Sequence, residues 1–410
     1  MRLLFVTYRF PAYPGCAPSN TVFNLVKYFS QRHEVSLVGL APGPVPTERC
    51  DELAQYCNSI GVIELPRWQA SLRAARGLAS STPLQMWYFR SNAFAAKVKQ
   101  VIDEEKIELA YGYHLRSGQY LAELGSIPRV IALQPAQILH FGRRHELTRN
   151  PVLRALYGME YRRLLGYEAE VAKKFDSCLL ISEKDRKAID PKHRLRNVFF
   201  NPHGTDVHSL APPSGNVRDE NTLVFCGSMA MDTNVDAVLH FCKDILPFIW
   251  AKRPGVRFAI VGRNPTRAVL KLADDRRISV TGLVDDVRPY LWKATVGVDP
   301  IRMAAGMQNK VIEGMAAGLP MVISPEANEG IHAPEGRTVL VGRSPEQFAT
   351  HVLGLLSDRS RARELAEQAL TFVQKQWSWE HHFRSLETLF SDLISERASL
   401  SDPPVLAAQA

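Results

Sequence analysis

Ala304-Ala-Gly-Met-Gln-Asn-Lys-Val-Ile-Glu-Gly-Met-Ala-Ala-Gly-Leu-Pro-Met-Val-Ile323 decides the fold. An apolar run ending at Pro300 passes into a loop of small residues. A helical pattern then starts near Asn309, is stopped by Gly318-Leu-Pro320, and gives way to a second apolar run, Pro320 to Ile323. Strand, loop, helix, strand is the repeat of a parallel α/β sheet, and in such a sheet this loop lies at the carboxyl ends of the strands, where ligands bind. Gly306 lets the backbone approach a ligand closely, the first N–H groups of the helix point outward, and Lys310 adds a full positive charge beside them. Gly306, Met307, Gln308, Asn309 and Lys310 therefore read as a cradle for a diphosphate. Glu313, one turn on, is placed to accept hydrogen bonds from the paired hydroxyls of a ribose on the same ligand.

The same rhythm runs outward in both directions. Before this stretch, Leu223–Cys226, Arg257–Val261, Ile278–Thr281 and Val296–Val298 are short apolar runs, with a helical pattern over Val235–Trp250, and Thr338–Val341 follows. The first half repeats it: Leu3–Thr7, an amphipathic stretch Ser19–Gln31, Glu34–Leu40, then Val62–Leu65, Leu109–Tyr111, Val130–Leu133, Ser177–Ile181 and Val198–Phe200. Runs apolar on both faces fit parallel sheets covered by helices on each side. The polar stretch Ala211-Pro-Pro-Ser-Gly-Asn-Val-Arg-Asp-Glu220 reads as the linker between two such domains. Two domains of about 200 residues also suit the length of 410, which exceeds what one core usually organises.

No stretch is apolar enough to span a bilayer, and Met1–Arg9 reads as a first strand rather than a signal peptide, so a cytoplasmic location is expected. The six cysteines form no C-x-x-C pair; free thiols and no metal are expected. The net charge of +8 is uneven, because residues 1–205 hold 28 Lys and Arg against 18 Asp and Glu, while the rest holds 22 against 24. A basic half suits nucleic acid, an anionic membrane, a phosphorylated substrate, or merely a solvated surface.

The Ala304–Ile323 stretch resembles the family 4 glycosyltransferases, whose signature places two glutamates eight positions apart before a segment like Glu313-Gly-Met-Ala-Ala-Gly-Leu-Pro-Met-Val322. Glu313 matches the second, and the position of the first holds Ala305. The family's basic residues after the first strand of the nucleotide domain are also missing from Phe225–Asp236, which leaves phosphate charge to Lys310. A narrower resemblance is to the exopolysaccharide-associated sugar transferases of bacterial PEP-CTERM systems. It rests on Gly227-Ser-Met with Asn234-Val-Asp236, on Val261-Gly-Arg-Asn-Pro265, on Val280-Thr-Gly-Leu-Val-Asp-Asp-Val-Arg-Pro-Tyr290, on Gly306-Met-Gln-Asn-Lys-Val-Ile-Glu313 and on Glu329-Gly-Ile331.

The resemblance implies a GT-B fold: two doubly wound, Rossmann-like α/β domains facing a cleft. Residues 1–205 would bind the acceptor and 206–378 a nucleotide sugar, a UDP-sugar first; 379–396 would be a helix returning to the first domain, and 397–410 a disordered tail. It implies transfer to a glycan, glycolipid or lipid-linked acceptor with retention, and no cofactor beyond the donor. Gly227, Ser228, Gly282, Leu283 and Val284 would join the nucleotide site, the last three against the base or as a plain turn. Arg263 is a phosphate or sugar contact or a surface arginine, and Gly15 a cleft-facing loop glycine without a G-x-G-x-x-G context. His114, after a strand at the cleft side, orients or deprotonates an acceptor hydroxyl or is structural; Arg90 and Arg9 are weaker candidates. Leu133–His140 lacks the aspartate usual there, which disfavours an inverting base. His140–Arg163 interleaves six arginines with aromatics and leucines, suiting either peripheral attachment to the inner face of a membrane or a helix packed on the sheet. The rivals are a sugar-nucleotide epimerase of the same fold and a basic nucleic-acid-binding protein, although no reading motif for the latter is present.

Overall fold

The apolar runs of the first half form seven strands: β1 (Arg2–Thr7), β2 (Glu34–Ala41), β3 (Ser59–Glu64), β4 (Leu109–Tyr113), β5 (Arg129–Ala132), β6 (Ser177–Leu180) and β7 (Val198–Phe200). They lie parallel in the order β3-β2-β1-β4-β5-β6-β7, with Phe5 opposite Leu37 on one side and Tyr111 on the other. Leu3, Leu4, Phe5 and Val6 are all buried, as a strand covered on both faces requires. The second half gives β8 (Thr222–Cys226), β9 (Arg257–Val261), β10 (Ile278–Val280), β11 (Val296–Asp299), β12 (Met321–Ile323) and β13 (Leu340–Val341), in the order β10-β9-β8-β11-β12-β13. This computed structural model describes residues 1–11, 17–148, 150–202, 204–303 and 307–401. The chain divides into two units, Met1–His203 with His382–Ala410, and Gly204–His381. In each sheet the first strand lies between the second and the fourth, so the winding reverses there and leaves a crevice at the carboxyl ends of β1 and β4 and of β8 and β11.

The closing helix, Trp379–Ser401, covers the first sheet with Phe383, Leu386 and Phe390, a three- and four-residue spacing that faces one way. Phe390 stacks on Phe29 at 5.3 Å, and Glu387 on the same face accepts hydrogen bonds from the Tyr28 hydroxyl at 3.2 Å and Arg32 at 2.9 Å. This helix continues through residues 397–401, where a tail was expected; Glu396-Arg-Ala-Ser-Leu400 contains no breaker, and the first stop is Asp402-Pro-Pro404. Arg397 donates to the Gly125 carbonyl.

The expected linker, Ala211–Glu220, is instead an integral part of the second unit. Arg218 reaches into that unit and donates to the carbonyls of Leu291 (2.8 Å), Ala294 (2.9 Å), Ala317 (3.0 Å) and Gly318 (2.7 Å). These carbonyls close the helices Arg288–Lys293 and Asn309–Ala316, whose C-terminal ends favour a cation. Burial holds the guanidinium down at about 10. The expected single helix Val235–Trp250 is also interrupted. It runs Asp232–His240, widens through a π-helical turn at Phe241–Ile245, and resumes at Leu246–Lys252, where Pro247 has no N–H to donate. Among the described residues, no helix is long and apolar enough to cross a membrane.

Candidate functional site

The reversal point of the second sheet gathers charge where its strands end. β11 closes on Asp299, whose carboxylate is fully buried, at 0% exposure. The Lys310 ammonium lies 3.3 Å from Asp299 Oδ2 and 3.4 Å from Oδ1, donates to Gln308 Oε1 at 2.8 Å, and sits 5.2 Å from the Phe225 ring on β8. Lys310 thus spans the crevice between β8 and β11. Burial raises the Asp299 carboxyl above its ordinary range, and Lys310 pulls it back in part. Glu313, one turn further along the helix, is pushed up to about 7, chiefly by burial and against the pull of Lys310. The Cys226 thiol, ending β8, is pushed up to about 12 by burial first and by Glu313 second, which places it in the same field. Among the described residues no hydrogen bond reaches the Glu313 carboxylate. A half-buried carboxylate without a donor among the described residues is an acceptor open to ligand hydroxyls.

The helix Asn309–Ala316 begins without a side-chain cap and without an acidic residue in its first turn, so its leading N–H groups are open to an anion. Asn309 is exposed there, and half-buried Met307 packs against the core. Gly227 and Gly262 mark the place where the loops after β8 and β9 cross. A Cβ on Gly262 would lie 1.8 Å from the Gly227 carbonyl oxygen, and one on Gly227 would lie 2.8 Å from Asn234 Nδ2. The crossing is tied by Asn234 Nδ2 to the Ser228 carbonyl at 3.0 Å and by Met229 N–H to the Arg263 carbonyl at 2.9 Å. The Arg263 side chain is exposed, and no hydrogen bond among the described residues joins it to Lys310. Gly282 has a φ of +70° with open space around it, followed by half-buried Val284 and by Leu283, exposed to 76%. That turn presents backbone, not side-chain chemistry. Gly15 and Gly306 lie outside the described residues.

At the other reversal point, between β1 and β4, His114 is buried with a φ of +77° and packs on Tyr8 at 4.5 Å between ring centres. Its Nδ1 accepts the Arg116 N–H at 3.3 Å, so a neutral ring carries its proton on Nε2. Burial, Arg116 and His140 together hold its pKa well below the ordinary histidine range. A neutral ring with a donating Nε2 fits orienting an acceptor oxygen rather than deprotonating it. Arg116 lies 4.8 Å over the Tyr8 ring and 4.6 Å over Phe89, and donates to Gln85 Oε1 at 3.0 Å. Arg9 and Arg90 are both exposed, Arg90 lying 5.5 Å over the Trp87 ring.

The structure brings Gln308, Lys310 and Glu313 together with Asp299 and Cys226. Asp299 escapes a reading of apolar runs because it closes one. The signal for it was an ionisable residue at the end of a strand with no face to water.

Residues 220–358 match the family described as Glycosyl transferases group 1. A curated relative, an uncharacterized 44.6 kDa protein in the cps region of Klebsiella pneumoniae, is 21% identical over 227 residues, 53% of this chain and 56% of that protein. The chain thus spans little more than half the length of this relative. Among solved structures, sucrose-phosphate synthase from Thermosynechococcus elongatus is similar with a TM-score of 0.64 at 14% identity, over 97% of this chain and 100% of that one. HepE from Anabaena, solved in complex with UDP, gives a TM-score of 0.61 at 13% identity, over 96% and 100%. The chain has the GT-B fold, and a stretch of its second unit matches the glycosyl transferases group 1. The matched region contains β8–β12, the crossing glycines and the whole Asp299–Lys310–Glu313 cluster.

Proposed function

We propose that the enzyme transfers a sugar from a nucleoside-diphosphate sugar, a UDP-sugar, to a glycan, glycolipid or lipid-linked acceptor, with retention of anomeric configuration, in assembly of an exopolysaccharide or related glycan. One observation carries the reading: a half-buried lysine held by a buried aspartate, an uncapped helix start and a carboxylate without a donor converge at the carboxyl ends of β8 and β11. In that reading the diphosphate lies against Lys310 and the first N–H groups of Asn309–Ala316, and Glu313 takes the ribose hydroxyls. As the bond from the anomeric carbon to the phosphate oxygen breaks, its electron pair stays on that oxygen. The growing charge meets Lys310, a donor already in place. The UDP preference is supported by the HepE complex, the polysaccharide role by the cps-region relative and by the PEP-CTERM resemblance, and retention by the family 4 signature. His114 would hold the acceptor hydroxyl through Nε2, at the inner face of a membrane if the acceptor is lipid-linked.

The test is release of nucleoside diphosphate from UDP-, GDP- and ADP-sugars, with and without a lipid or glycan acceptor fraction, followed by NMR of the product anomer. Acceptor-dependent release from one donor, absent in Lys310→Ala and giving a retained anomer, is the expected result. Conversion of the sugar nucleotide without acceptor would point to the epimerase, and an inverted anomer would remove retention.

A further inference from the structure

The stretch His140–Arg163 does not fold as one helix, although Phe141 and Tyr161 pack against the core of the first sheet. It folds as a hairpin of two helices, Gln137–Leu147 and Pro151–Leu164. They pack closely: a Cβ on Gly142 would lie 3.1 Å from the Tyr161 ring and one on Gly158 2.8 Å from the His145 ring, while Arg144 lies 5.4 Å over the Tyr157 ring. The root of the hairpin is anchored. Glu168 accepts the N–H groups of Gln137 and Ile138 at 2.8 Å each, Glu160 accepts those of Leu84 and Gln85 at 2.6 and 3.1 Å, and Arg163 donates to the Gly77 and Leu78 carbonyls at 3.0 and 2.7 Å.

The tip, by contrast, is bare. Every residue from Pro151 to Leu156 is exposed, and among them Val152 is exposed to 74%, Leu153 to 42% and Leu156 to 37%. These three fall at i, i+1 and i+4, one face of the helix. Asn150 Oδ1 accepts the N–H groups of Val152 and Leu153 at 3.0 and 3.1 Å, so the apolar face is displayed on a capped helix start rather than on a loose loop. Arg143, Arg144, Arg154 and Arg162 are exposed along the same hairpin, and Glu146 is its one exposed carboxylate among the described residues.

We infer that this tip is a wedge for an anionic bilayer: Val152, Leu153 and Leu156 enter among the acyl chains, and the arginines meet lipid phosphates. An apolar cap on a hairpin whose exposed arginines outnumber its carboxylate is complementary to an anionic interface, where apolar burial and headgroup attraction act together. The wedge deepens the proposed function, because it would bring the unit holding His114 to a lipid-borne acceptor, and it rests on that reading only for the acceptor. Docking itself is measured without any sugar.

The experiment is flotation of the full chain with vesicles of phosphatidylglycerol and phosphatidylcholine, or of phosphatidylcholine alone, at low and high salt. The wild type, Val152→Glu with Leu153→Glu, and Arg143→Gln with Arg154→Gln are compared, with Val217→Glu as an exposed control in the second unit. The wild type and the control should float with anionic vesicles only, and less at high salt. The apolar variant should lose at least about ten-fold in partitioning and the arginine variant should lose its salt dependence. Thermal unfolding and its shift by UDP should be the same in all four chains. Failure of UDP to stabilise any of them would count against the donor reading and leave the flotation result standing. The wedge is overturned if the wild type stays with the soluble fraction, if the apolar variant floats as well as the wild type, or if the tip instead mediates a dimer that the apolar variant dissolves.

Discussion

Lys310 is held by both oxygens of a carboxylate that has no contact with water. Removing the lysine strands that carboxylate, so Lys310→Ala should destabilise the chain by roughly 3 kcal/mol, and Asp299→Asn added to it should restore much of the loss. Asp299→Asn alone should change stability less and weaken nucleotide binding, because the ammonium loses the partner that fixes its position; denaturant unfolding and nucleotide titration separate the two effects. Glu313 yields a prediction in pH. In the folded chain its carboxyl keeps a proton up to about 7, against an ordinary value of 4.5. The folded state therefore binds more protons between those values, and the contribution of Glu313 to stability is present below about 4.5, falls as pH rises, and is gone above about 7. Glu168, also pushed up to about 7 by burial, acts with the same sign. Glu313→Gln should raise the unfolding temperature near pH 8, leave it little changed near pH 4, and abolish stabilisation by nucleotide. A wild-type slope retained in full by Glu313→Gln and Glu168→Gln together would contradict the assignment.

At the scale of elements, the crossing of the loops after β8 and β9 leaves no room for a methyl group. Gly262→Ala places a Cβ against the Gly227 carbonyl, and the loops must part; a loss of roughly 1–3 kcal/mol is expected, measured by thermal or denaturant unfolding. Arg218→Ala removes the cation that ties two helix ends and should cost about 2–4 kcal/mol, since several carbonyls lose a charged donor. An effect within about 0.5 kcal/mol would return Ala211–Glu220 to the status of a linker. That stretch shows why some elements were not legible in the sequence. Strands of Leu, Val and Ile declare themselves by apolar runs, and Gly318-Leu-Pro320 declares a stop. Arg218 looks like any solvated arginine until the fold supplies carbonyls from residues more than 70 positions away. The Asn309 helix and Lys310 were legible because their chemistry is local. Asp299 was not, because its role depends on a partner 11 positions on. The arginine-rich stretch disclosed its charge but not its turn at Asn150, where a polar cap followed by Pro151 starts a new helix.

At the scale of the whole molecule, the match to the glycosyltransferases lies within the unit Gly204–His381, and the basic surplus lies in the other. Ligand effects should divide accordingly. Hydrogen exchange with UDP should show protection at the ends of β8 and β11 and along the first turn of Asn309–Ala316, while β1–β7 change little. Anionic vesicles should protect the hairpin tip instead. Thermal unfolding of the wild type, Lys310→Ala and Glu313→Gln with UDP, GDP or ADP tests the donor site most directly. A nucleotide at about 100 times its dissociation constant adds roughly 2.7 kcal/mol to the state that binds it. UDP should stabilise the wild type and neither variant; a wild type indifferent to all three nucleotides, or variants stabilised as much as the wild type, would rule out a donor site at Lys310 and Glu313.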